Sequence, residues 1–93
     1  MNIRFYIDHD TGDPHIYNHG MKESDVEFVL RHAGEDRPGT DDCRIAIGQT
    51  EAGQYLRVIY APDPEAGSVF VITAYELIGK PLLAYRRRRR RRK

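Results

Sequence analysis

Ninety-three residues, 40% of them hydrophobic and 31% charged, suffice for one core and are too few for two. No apolar run is long enough to span a bilayer and no signal-peptide hydrophobic region follows Met1, so a membrane is not an expected partner. The single cysteine, Cys43, cannot close an internal disulfide, and the expected compartment is the cytoplasm.

The net charge of +1 is misleading. All 14 acidic residues lie in 1–85 beside 7 basic ones, so that body carries −7, while 86–93 is a run of eight basic residues. Such asymmetry predicts a polyanionic partner, RNA foremost. The plainer reading is a tail that folds back on the chain's own acidic loops.

Ile3, Phe5 and Ile7 alternate with Arg4, Tyr6 and Asp8, the period of a half-buried strand. Asp10-Thr11-Gly12-Asp13-Pro14 is turn chemistry, and His15-Ile16-Tyr17 reads as a short returning strand or extended segment. Val26, Val29, Leu30 and Ala33 then form one apolar stripe, predicting a helix over 22–33. Its start has two readings: a capping box of Ser24 with Glu27, or a staple of Met21 with Val26 around a cap at Lys22. Gly34 is a natural stop, and 35–42 reads as a charged solvent loop. Arg44 to Gly48 and Gln54 to Tyr60 flank a hairpin loop. Ser68 to Glu76 is apolar on both faces and belongs centrally. Gly79-Lys80-Pro81 opens a short helix in which Leu82, Leu83 and Tyr85 can dock on the sheet. The expected architecture is α+β: a small antiparallel sheet, a helix on one face, and a C-terminal helix ending in the basic tail. The domain is 1–85 and the tail 86–93.

RNA cleavage without a metal needs a base, an acid and cations for the phosphorane charge. His19 is the candidate for proton transfer, since imidazole titrates near neutrality; a helix-entry turn is its plainer role. Tyr75 and Tyr85 can donate protons or stack on a base, or simply pack at a sheet–helix seam. Lys80, Arg44, Arg57 and Arg86 can hold phosphates. Arg57 alternates with Leu56 and Val58 and faces away from them, either on the surface or on the floor of a groove. The arginines that follow, Arg87, Arg88, Arg89 and Arg90, neutralise successive phosphates without reading sequence. His9, Asp10, Asp13, His15 and His19 mix imidazole and carboxylate, yet their spacing fits no known metal pattern. No metal and no cofactor are expected. Cys43 reads as a structural thiol.

Several strings, Asn18-His19-Gly20, Ile45-Ala46-Ile47-Gly48, Gly53 to Ile59 and Val71-Ile72-Thr73-Ala74, together with Tyr85, resemble the BrnT family of small toxins within the wider RelE-like group. The resemblance covers nearly the whole chain in pattern. It implies a type II toxin of a bacterial toxin–antitoxin pair, a metal-independent endoribonuclease acting on mRNA and held silent by a cognate antitoxin. Lys80 falls where the family has a basic residue. Tyr75 stands where the family has another, usually arginine, so binding is implied more firmly than cleavage. The alternative is a catalytically silent module of the same fold that binds nucleic acid or the antitoxin. Self-association and toxin–antitoxin assembly both stay open.

Overall fold

Leu56, Val58 and Tyr60 are buried at every second position of one strand, with Arg57 and Ile59 turned to the opposite side, as the pleat requires. The computed structural model describes residues 2–63 and 67–91. In chain order it contains β1 (Asn2–Phe5), a 3-10 turn (His15–His19), α1 (Glu23–Arg31), β2 (Glu35–Pro38), β3 (Arg44–Gln49), β4 (Tyr55–Pro62), β5 (Ser68–Glu76) and α2 (Gly79–Arg91). The strands form one sheet in the order β1-β5-β4-β3-β2. The β2–β3, β3–β4 and β4–β5 pairs are antiparallel, whereas β1 runs parallel to β5. The fold is thus the expected α+β arrangement, with β4 at the centre and a mixed rather than wholly antiparallel sheet.

One face of the sheet carries the main core. Val26 and Val29 of α1 pack there with Ala46, Leu56, Val58, Val71 and Ala74, and Ile16 and Met21 close the side. The structure decides how α1 begins. Its cap is Lys22, which makes no side-chain capping bond, while Met21 and Val26 are both buried in the same cluster. The staple therefore sets the entry, and the Ser24–Glu27 box does not form.

Three local expectations are corrected. His15-Ile16-Tyr17 is not a returning strand: it lies in the 3-10 turn, and only an Ile7–Pro14 bridge pairs that stretch. Ile16 is fully buried, so the segment serves to bring one apolar side chain into the main core beside β5. Glu35–Pro38 is not a solvent loop but the edge strand β2, paired to β3 from Glu35↔Ile47 to Pro38↔Arg44. Its charges and terminal proline suit an edge exposed to water. Finally, α1 ends at Arg31 with His32 as its cap, before Gly34 is reached.

The β3–β4 turn is closed by Thr50, whose backbone N–H donates to the Gln54 carbonyl at 2.8 Å and whose Oγ1 accepts from the Gln54 N–H at 3.1 Å. Gly53 sits at φ 94°, a conformation that glycine adopts without a steric penalty. On the opposite face of the sheet Ile47, Leu77 and Tyr85 form a second cluster with Ile45, Tyr55 and Leu82. This cluster is the seat of α2.

Candidate nucleic-acid interface

Arginine is a good helix former, and positive side chains near a helix C-terminus meet the negative end of its dipole. The basic run accordingly does not leave the surface at Tyr85: α2 continues through Arg91. Its start is anchored by Leu82 and Tyr85 in the second cluster. Its middle is held to β2 and its approach by two guanidiniums. Arg88 donates from Nε and Nη2 to the two carboxylate oxygens of Glu35 at 2.7 and 2.8 Å. Arg89 donates to the Gly34 carbonyl at 2.8 Å. The reading in which the basic segment folds back on the chain's own acids therefore holds at Arg88. Arg86, Arg87, Arg90 and Arg91 form no ion pair among the described residues.

Helical spacing sorts these arginines. Arg86, Arg89 and Arg90 fall at i, i+3 and i+4 and share one side. They line an open groove of about 590 Å³ together with Phe28 and His32 at the end of α1, the β3–β4 turn, Tyr55 and Tyr85. Phe28 and His32 are stacked, with centroids 4.3 Å apart and planes at 28°. His32 Nδ1 lies 3.0 Å from the Phe28 carbonyl oxygen. Three arginines thus line one groove with a stacked aromatic–imidazole pair, and Glu51 is an acid in the same lining. Guanidiniums hold phosphate and aromatic faces hold bases, the two components of single-strand binding.

Tyr85 packs at the sheet–helix seam, the plainer of its two expected roles, and offers no open face for stacking. It is 4% exposed, its ring meets Tyr55 edge-on at 6.0 Å, and burial pushes its hydroxyl pKa up against the pull of Arg89. It positions α2 beneath the groove.

The other expected site residues fall elsewhere. His19 and Tyr75 are brought together, ring centroids 6.0 Å apart. His15 lies 5.4 Å from His19, with its Nδ1 3.3 Å from Asp8 Oδ2. Asn18 also donates to Asp8 Oδ2, at 3.0 Å. The Asp10 backbone N–H first, then His15 and Asn18, hold the Asp8 carboxyl below its ordinary range. Lys80 is exposed in the first turn of α2, and among the four catalytic candidates the one ring contact of two candidates with each other is His19 with Tyr75. Arg44 is already committed to Asp36, through Nε at 2.8 Å to the carboxylate and Nη2 at 3.3 Å to the carbonyl. Asp36 also accepts from the Tyr60 hydroxyl. Arg57 lies on the second face of the sheet, as its alternation predicts, in a separate groove. Arg87 lines a smaller recess along α2 with Leu83, Arg86 and Arg90. Among the described residues no group of His, Cys, Asp and Glu is arranged to hold a metal ion.

Phe28, His32 and Glu35 escaped the sequence reading. Phe28 did carry a signal, being an apolar residue off the stripe of Val26, Val29, Leu30 and Ala33 with an imidazole four positions on. No protein-family model, curated protein or solved structure matches the chain. Among the described residues no helix is long and apolar enough to cross a membrane.

Proposed function

We propose that this chain is a binding module for single-stranded RNA, gripping phosphates with α2 and a base at the Phe28–His32 stack. The observation that carries the reading is the groove itself, which Arg86, Arg89 and Arg90 line together with the stacked pair. Binding of this kind is strong and insensitive to sequence, because guanidiniums neutralise phosphates whatever bases they carry. The test is fluorescence anisotropy with a labelled twelve-nucleotide single-stranded RNA. An Arg86→Gln/Arg90→Gln variant is expected to bind at least about tenfold more weakly, since each phosphate contact contributes separately. Equal affinity of variant and wild type would refute the reading. Point variants are cleaner than deletion of 86–93, which would also remove the Arg88–Glu35 pair that holds α2.

One observation favours a second reading, metal-independent RNA cleavage of the kind that the toxin resemblance implies. His19 meets Tyr75 beside the Asp8–His15 pair, which joins an imidazole to a second proton donor. Incubation of the RNA with protein in EDTA tests it. A cut abolished by His19→Ala supports cleavage, whereas intact RNA with binding retained supports the silent module.

A further inference from the structure

Helix α2 covers only part of the second sheet face. Its residues pack on Ile47 and Tyr55, with Ile45 at the edge of the same cluster, and the row Ile45↔Ile59↔Thr73 continues across the sheet from there. There an open groove of about 530 Å³ has Ile45, Ile59 and Ile72 in its lining, with the turn that carries Asp41 and Cys43 as a wall. The volume is that of an ordinary small-molecule site.

Arg57 and Thr73 line the same groove. Arg57 stands on the central strand with Ile47 and Tyr75 as its cross-strand neighbours. The side chain is half-buried, and it forms no ion pair or hydrogen bond with any described residue. Its Nε and the Thr73 Oγ1 are both buried without a hydrogen-bond partner among the described residues. A buried donor without a partner beside isoleucines is costly in the empty protein, while the half-buried side chain leaves the rest of the guanidinium open to the groove. An anion that enters the groove offsets that cost, and an apolar body on the same ligand covers the isoleucines.

We propose that this groove binds an aliphatic monocarboxylate, with its head at Arg57 and Thr73 and its chain along Ile45, Ile59 and Ile72. A polyanion does not suit the site, because its further charges would meet Asp41 on the wall and its body offers little to an apolar floor. The proposal is independent of RNA binding on α2, so either can fail alone.

The test is a titration of isoleucine-methyl-labelled protein with sodium decanoate, below its micelle concentration, followed by NMR. The expected result is a saturable shift of the Ile45, Ile59 and Ile72 methyls, with decanol binding at least about tenfold more weakly, the contribution of one charge-assisted hydrogen bond. Arg57→Met keeps the stem and removes the charge; it is expected to lose the preference for the acid while leaving RNA affinity unchanged. The wild-type comparison of acid and alcohol needs no variant and decides the matter if Arg57→Met does not fold. Equal binding of the two, no saturable shift, or displacement of decanoate by the RNA oligonucleotide would overturn the proposal.

Discussion

The hydroxyl of Tyr85 occupies the space that a side chain on Gly34 would need: a Cβ built there would sit 2.1 Å from it, and 3.3 Å from the Arg89 guanidinium. Gly34 is therefore required by close approach of α2 and not by the end of α1. Gly34→Ala forces Tyr85 or the backbone to move, and overpacking of this kind costs about 1–3 kcal/mol. Urea denaturation is expected to show that loss in the midpoint. Tyr85→Phe removes the clashing oxygen, so the double variant is expected to recover part of it. Simple additivity of the two losses would contradict the contact.

Glu35 sets how many arginines α2 can offer to a ligand. Its carboxylate takes two bonds from Arg88 and is 11% exposed. Glu35→Gln is expected to cost about 1 kcal/mol in stability, as a partly buried bidentate pair exceeds the usual surface value. It also frees a cation, so the salt slope of RNA binding should steepen by about 0.7, the share of one phosphate on a single strand. Paired denaturation and anisotropy measurements check both effects.

Tyr60 links the core to the β2 edge and should report on pH. Burial first, then its hydrogen bond to Asp36, pushes its pKa up to about 12. A tyrosine whose folded value is raised contributes stability that is complete below its ordinary value of 10.0 and lost as pH rises towards about 12. Wild-type stability is thus expected to fall between those two values, with Tyr60→Phe showing a shallower fall there. At neutral pH Tyr60→Phe should be the less stable protein, because Asp36 loses a donor. Identical alkaline profiles would refute the role of Tyr60.

Phe28 offers a prediction on recognition. Phe28→Leu keeps an apolar side chain and removes the ring stacked on His32. Base stacking contributes about 1–3 kcal/mol per base, so RNA affinity should fall without a change in salt slope. The arginine variants are expected to lower both affinity and slope. Anisotropy at several salt concentrations separates the two.

The elements legible in the sequence are those whose side chains alternate between core and solvent. Strand β4 shows Leu56, Val58 and Tyr60 against Arg57 and Ile59, and α1 shows its stripe, so both stand where expected. Strand β2 was not legible because Glu-Asp-Arg-Pro has no apolar period; its place is set by backbone bonds to β3. The 3-10 turn hid because it buries the single residue Ile16. In the candidate interface, the basic run was plain and its charge pointed to a polyanion. Its division into paired and free arginines was not, since the Arg88–Glu35 contact spans 53 positions, a separation no local pattern reports.

Binding of RNA by α2 through the arginines that meet no acid is tested most directly by the dependence of wild-type affinity on salt. With Arg86, Arg87, Arg89, Arg90 and Arg91 engaged, the slope of log K against log salt is expected near −3.5, from about 0.7 for each phosphate neutralised on a single strand. The Arg86→Gln/Arg90→Gln variant should bring it to about −2 by the same rule. A wild-type slope near zero, or one that the variant leaves unchanged, would show that α2 does not hold the phosphates.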